Sequence, residues 1–281
     1  MVRRIALVTL KGSAGDHRVP ESLIGSGFEL VTIETDLRVT PVDRVGFMLS
    51  ELAYTEAGLR AAEAGCDAVV LGALPDYGIG ALRAATDIPI IGSGQASLVT
   101  AASIGPRFSI VTIWPETMDF VYDRLLLEHD AADRCTSVRY VSRPEEQASL
   151  AESDNFLTQM KSGKEVMVQR ILAEIEAAGA EGADSVILGC NCMSPISALL
   201  ASRTSVPIID PSTAAYRLAE SSLALDLQPR RDGRTSPPPR QPLLAEMLHT
   251  ADKWLAGDPE DCEVCSLGDD GAMTCEVEPV S

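Results

Sequence analysis

Three segments of this chain occur twice, in the same order. Gly65-Cys-Asp-Ala-Val-Val-Leu-Gly-Ala73 aligns without a gap on Gly182-Ala-Asp-Ser-Val-Ile-Leu-Gly-Cys190. Upstream, Ala6-Leu-Val-Thr-Leu10 matches Ser109-Ile-Val-Thr-Ile113; downstream, Ile88-Pro-Ile-Ile91 matches Val206-Pro-Ile-Ile209 after a one-residue shift. Each copy is a short apolar run, partly β-branched, which suits a parallel strand covered on both faces. Each half thus has a first strand ending in Val-Thr, a second ending in Leu-Gly-x and a third ending in Pro-Ile-Ile. Two such halves facing each other put their strand ends around one cleft, with Cys190 on one side and Ala73 on the other.

The fold expected is α/β: two similar flavodoxin-like parallel-sheet lobes related by pseudo-twofold symmetry, with the active site in the cleft between them. The lobes fall at 1–105, completed by a helix at 212–225, and 106–211. Helices are expected at Val45–Glu63, Met118–Glu128 and Lys164–Ala178; in the last, Val168, Ile171, Leu172 and Ile175 share one face. Arg143–Gly163 reads as a polar loop with a short helix. Residues 228–242, with Pro237-Pro-Pro239, read as an extended linker. Residues 243–281 read as a short helix, apolar at Leu244, Met247, Leu248, Ala251 and Leu255, followed by an acidic, disordered tail. Three cysteines there (Cys262, Cys265, Cys275) without a nearby histidine fall short of a zinc set.

Charge narrows the function classes. The net charge is −18, and no basic patch stands out, so nucleic acid is not an expected partner. Nor is a membrane, because no apolar stretch is long enough to span one. The seven cysteines are scattered and odd in number, which favours a reducing cytoplasm over a disulfide framework.

Candidate site residues cluster at the strand ends, where ligands bind in open α/β sheets. Cys190 follows the strand Ser185–Leu188, and Ser194-Pro195 reads as the N-cap and first residue of a helix. A nearby helix start lowers a thiol's pKa; the plainer alternative is a buried structural thiol. Lys11-Gly-Ser-Ala-Gly-Asp-His-Arg18 is a polar loop after the first strand. Thr9, Lys11 and Ser13 there could bind an anion and His17 could act as a base, against the plainer reading of a solvated loop. Thr112 repeats the position of Thr9 and is a candidate hydrogen-bond donor to substrate. Ser93 and Gly94, Asn191 and Thr213 stand after other strand ends. Trp114 and Thr117 are candidates for the mouth. Asp76 could serve as a second acid or base, or simply cap the helix that holds Leu82 and Arg83.

Gly65-Cys-Asp-Ala-Val-Val-Leu-Gly-Ala-Leu-Pro-Asp76, Arg107-Phe-Ser-Ile-Val-Thr112, Arg134-Cys-Thr-Ser-Val-Arg139 and Leu188-Gly-Cys-Asn-Cys-Met193 carry a family resemblance. Over roughly residues 1–225 the chain resembles the hydantoin and allantoin racemases of the aspartate/glutamate racemase superfamily. The resemblance implies a cofactor-independent enzyme, here expected to be a homo-oligomer, acting on a small carboxylate or hydantoin-like substrate. In that family two cysteines on opposite faces of the substrate remove and return a proton beside a carbonyl. Cys190 matches the second cysteine; the first falls on Ala73, which carries no proton. The family's Asn-rich turn after the first strand is also missing. Cys192, two residues on, is read as supporting Cys190 from behind. An apolar face at Ala73 equally suits loss of CO₂ with Cys190 as proton donor, as in arylmalonate decarboxylase of the same superfamily. A racemase-like module that only binds a carboxylate is the third reading.

Overall fold

The structure, a computed structural model, describes residues 2–13, 19–229, 244–250, 265–267 and 273–275. The N-terminal lobe runs β1 (Arg3–Thr9), β2 (Phe28–Glu34), α1 (Arg44–Glu63), β3 (Ala68–Leu71), α2 (Ile79–Ala85), β4 (Ile90–Gly92) and α3 (Ser93–Ile104). Its four strands are parallel in the order β2-β1-β3-β4. The C-terminal lobe runs β5 (Phe108–Thr112), α4 (Asp119–Glu128), β6 (Cys135–Tyr140), α5 (Pro144–Gln147), α6 (Phe156–Lys161), α7 (Glu165–Ala180) and β7 (Ser185–Leu188). It closes with α8 (Ser197–Ala201) and β8 (Ile208–Ile209), and α9 (Pro211–Ala224) follows. Its strands are parallel in the order β6-β5-β7-β8. The two orders are the same pattern, so the repeat is one of topology as well as sequence.

The edge strands β2 and β6 carry charged residues, whereas β3, β5 and β7 carry none. β3, β5 and β7 are buried along their whole length, as central strands must be when helices cover both faces. In this order the chain turns outward from β1 to β2 and then back to β3, so the crevice opens at the β1/β3 ends. The C-terminal lobe does the same at β5/β7. One apolar cluster runs through both lobes: Val8, Tyr54, Tyr77 and Leu82 from one, Ile110, Val121, Tyr122 and Leu125 from the other. The sheets are therefore seated against each other by α1 and α4, not merely tethered. α9 returns to the first lobe, where Ala215, Tyr216, Ala219 and Leu223 pack on Ile5, Leu7 and Val70. Asp210 starts that helix by accepting a hydrogen bond from Ser212 N, with Pro211 at the first helical position.

Residues 143–163 are more ordered than a polar loop. They hold α5, a 3-10 turn at Ala148–Ala151 and α6. Asn155 caps α6 by accepting from Thr158 N, and Phe156 and Met160, four apart, drop into the core beside Ile171. Residues 244–250 form a helix whose Leu248 and Leu244 pack on Leu37 and Ala53, while Met247 stays exposed. Ala251 and Leu255 lie outside the described residues, as do Cys262 and most of the 228–242 linker. In the tail, Cys265–Leu267 pairs antiparallel with Met273–Cys275. Among the described residues no group of three potential ligands could hold a metal, and no helix is long and apolar enough to cross a membrane.

Arg170 of α7 anchors α5 by a two-pronged pair: its guanidinium donates to both Glu146 carboxylate oxygens, at 2.9 and 2.8 Å. That contact holds the Glu146 carboxyl down to about 2. A pKa lowered by folding stabilises above the ordinary carboxylate range and stops doing so as pH falls through the folded value. Glu146→Gln should therefore cost about 1–2 kcal/mol at pH 7. The difference from the unsubstituted protein should close between pH 5 and pH 2, read as urea midpoints across that range.

Candidate active site

The two crevices share one cavity of about 230 Å³. From the first lobe it is lined by the turn Leu10–Ser13, by Tyr54, and by Gly72, Ala73 and Leu74 after β3. From the second it is lined by Trp114 after β5, Tyr122 of α4, Lys161 of α6, and Gly189 to Cys192 after β7. Each Leu-Gly-x motif ends at this wall, and the glycines explain why. A Cβ on Gly72 would come within 2.6 Å of the Val8 carbonyl oxygen; one on Gly189 would come within 2.8 Å of Thr112 Cα. Only glycine lets the central strand lie this close to its neighbour. The following residue, Ala73 or Cys190, is thereby aimed into the cavity.

Cys190 caps a six-residue 3-10 helix, Asn191–Ile196. Its sulfur accepts a hydrogen bond from Cys192 N at 3.2 Å. The helix starts at the cysteine itself rather than at Ser194, which donates to Asp210 Oδ1 at 2.5 Å instead. Cys192 is not merely behind Cys190. The two are joined by a disulfide, with Cα atoms 5.1 Å apart. A reading of scattered, unpaired thiols is corrected at this one place; Cys66 and Cys135 are free.

The remaining candidates sort by position. Lys11, Ser13, Ala73, Asn191, Cys192 and Trp114 line the cavity; Thr9, Ser93, Gly94 and Thr112 are buried outside its lining. The Thr112 hydroxyl is held against Tyr122 Oη and accepts from Trp114 N, while Tyr122 Oη donates to the Gly189 carbonyl at 3.0 Å. Thr112 thus braces the turn before Cys190. Burial pushes the Tyr122 phenol well above its ordinary range, which keeps it a neutral donor. Thr9 Oγ1 has no hydrogen-bond partner among the described residues. Asn191 Nδ2 donates to Ser93 Oγ at 3.1 Å and Ser212 Oγ at 3.0 Å, so it bridges the start of α3 in one lobe and α9. Its Oδ1 is buried without a partner among the described residues. Thr213 donates to Asp210 Oδ2 at 2.6 Å and lines a different groove, between α3, α8 and α9. Thr117 donates to Gln147 Oε1 at the surface. His17 lies outside the described residues.

Asp76 is not a cavity acid. It sits in the left-handed region (φ 53°) and turns its buried carboxylate under the start of α3, accepting from Gly94 N and Gln95 N at 2.8 Å each. His129, at the end of α4, lies 3.4 Å away. Burial raises the carboxyl above its ordinary range, against the pull of His129 and of the two amides. Asp76 is a cap, but of α3 rather than of α2, because the chain folds its turn back between the two helices. Sequence reasoning passed over Arg38, Tyr54 and Lys161, which line the cavity from distant elements; Tyr77, which the repeat places near the site, lines it too.

These features define a two-lobed α/β protein with a cysteine at the strand ends of a shared cleft. A family model described as Asp/Glu/hydantoin racemase matches residues 40–219. Two curated hydantoin racemases are similar, from Rhizobium meliloti (35% identical over 63% of this chain and 66% of that protein) and Paenarthrobacter aurescens (30% over 58% and 64%). The chain thus spans just under two thirds of the length of these relatives. The structure of allantoin racemase from Klebsiella pneumoniae shares the fold, with a TM-score of 0.71, 22% identity, and 84% of this chain and 94% of that one covered. The chain belongs to the Asp/Glu/hydantoin racemase family.

If Asp76 caps and does not react, Asp76→Ala should lower stability by about 2–4 kcal/mol, the scale of a lost buried charged partner. In the fully reduced protein, the rate at which Cys190 takes up iodoacetamide should stay within about twofold of the unsubstituted value. Urea unfolding and peptide-resolved alkylation would measure the two quantities.

Proposed function

We propose that this protein is a cofactor-independent racemase or isomerase-type enzyme that moves a proton at a carbon next to a carboxylate or hydantoin-like carbonyl, with Cys190 as its one catalytic cysteine. The observation that carries this reading is the placement of Cys190: at the end of β7, in the cleft, directly across the repeat from Ala73. Family membership supports it, as does the Cys192 amide, which donates to the Cys190 sulfur and would favour a thiolate there. The Cys190 thiolate takes the α-proton and leaves an enolate or enediolate; the resulting thiol gives a proton back. Only the dithiol form can do this, since a disulfide sulfur has no proton to carry. Asn191, at the same wall, ties Ser93 to Ser212 through its Nδ2 and would hold the turn after Cys190 in place.

A second reading rests on the surroundings of Ala73. Leu74, Pro75, Met118 and Val121 make much of the cavity wall apolar. A carboxylate placed against such a wall is poorly solvated and leaves readily as CO₂, and Cys190 would then protonate the enediolate from its own side.

Proton NMR in D₂O under reducing conditions separates these. Incubation with a panel of hydantoins, amino acids and substituted malonates should put deuterium at the α-carbon. Cys190→Ser should slow that by about 10²-fold or more, the usual weight of a general acid–base. Deuterium entering together with loss of a carboxyl group would favour the second reading. No exchange with any compound, or exchange that survives Cys190→Ser, would sink the role given to Cys190.

With one thiol, Cys190 returns the proton on the face it left, and inversion waits for a proton from solvent or another group on the Ala73 face. Isotope exchange should therefore outrun loss of optical activity. Ala73→Cys, which supplies a protic group across the cleft, should bring the two rates toward equality, as followed by polarimetry alongside NMR. Equal rates in the unsubstituted protein would show that another group already serves the second face.

A further inference from the structure

Three basic side chains reach the cleft of an acidic protein. Lys11 and Arg38 line it from the first lobe and Lys161 from the second, and no Asp or Glu is among the described lining residues. The whole chain has 41 acidic residues to 23 lysines and arginines, so composition alone would set the opposite sign. Lys11 and Lys161 are half-buried, and Leu157 and Trp114 beside them are apolar. Charges on the half-buried lysines are screened less than on open surface, and Arg38 stands exposed at the rim. The chemistry gives these charges a use. Taking a proton beside a carboxylate adds a second negative charge to one already there, whereas a neutral ring gains only its first. We infer that Lys11, Arg38 and Lys161 are specificity residues that select a substrate bearing a free carboxylate and disfavour a neutral ring. The reaction part of this rests on the proton-transfer reading above; the recognition part is a claim about binding and needs no turnover.

The test titrates reduced full-length protein with matched probes: phenylacetate against phenylacetamide, and N-carbamoylphenylglycine against its closed ring, 5-phenylhydantoin. Tryptophan fluorescence of the Trp254→Phe protein reports occupancy from Trp114 in the cleft itself. The charged member of each pair should bind at least about tenfold tighter at low salt, with the advantage shrinking as salt rises. Lys11→Gln, Arg38→Gln and Lys161→Gln should each weaken the charged probe about three- to tenfold and leave the neutral one unchanged, with unaltered melting curves. Equal or tighter binding of the neutral member, binding of neither, or charge variants without effect would overturn the inference. Deuterium exchange run on the same probes keeps the two claims apart. Charged probes that bind but exchange nothing would sink the reaction; a neutral ring that binds better and exchanges would sink the charge selection alone.

The disulfide carries a second inference independently. Cys190 and Cys192 share one turn at the cleft, and bonding them leaves no thiol among the described lining residues. We propose that Cys192 is a resolving cysteine that turns the site off reversibly under peroxide. The Cys190 thiolate attacks the peroxide O–O bond, forming a sulfenic acid and releasing hydroxide. The Cys192 thiol then displaces water from that sulfenic acid, giving the disulfide; a dithiol returns two electrons and two protons. Peptide mass spectrometry after hydrogen peroxide should find the Cys190–Cys192 peptide lighter by two hydrogens and fully alkylatable again after dithiothreitol. In Cys192→Ser the same treatment should add oxygens to Cys190 that dithiothreitol does not fully remove. Identical oxidation products in the two proteins would overturn the proposal.

Discussion

The molecule depends on a polar seam buried where the lobes meet. Asp76 gives its carboxylate to the start of α3 while touching His129 at the end of α4. Asn191 spans Ser93 and Ser212, and Tyr122 reaches across from α4 to the carbonyl before Cys190. Of these contacts, His129 against Asp76 and Asn191 against Ser93 join one lobe to the other, so these two depend on the mutual placement of the lobes, and the rest shape each wall from within. Apolar packing between α1 and α4 supplies the adhesion; the seam supplies the register. The cleft is a by-product of that register.

What could be read from the sequence was whatever is local in the chain. The repeat exposed the strands, because buried central strands have little choice of residue, and it paired position 73 with position 190 because both follow the glycine that a neighbouring strand crowds. Helices with a strong apolar face, such as α7, were equally plain. The site was only half legible. Lys11, Ser13, Ala73, Cys190 and Asn191 stand directly after strands and were found by that rule. Arg38, Tyr54 and Lys161 reach the same cavity from a loop, a long helix and a short helix whose positions depend on tertiary packing. Thr112 and Asp76 both have site-like chemistry that neighbours claim: Tyr122 and Trp114 N hold the Thr112 hydroxyl, and the capping role open to Asp76 falls on α3 instead of α2. The Cys190–Cys192 bond could not be seen in a cysteine count, since a pair two residues apart closes too small a loop to look like a framework.

Composition misled in a similar way. A net charge of −18 describes the surface, much of it in the tail, and says little about a cavity to which about two dozen residues contribute. Sequence-wide charge speaks to solubility and nonspecific partners; a site sets its own sign through the few side chains that reach it.

A cleft built between two copies of one lobe in a symmetric dimer would have to carry the same residue on both walls, because one gene would encode both. Here the two walls are written separately along a single chain. Alanine can stand at one and cysteine at the other without either change being imposed on its counterpart. A single chain thus leaves the two sides of the cleft free to differ in sulfur, in charge and in bulk.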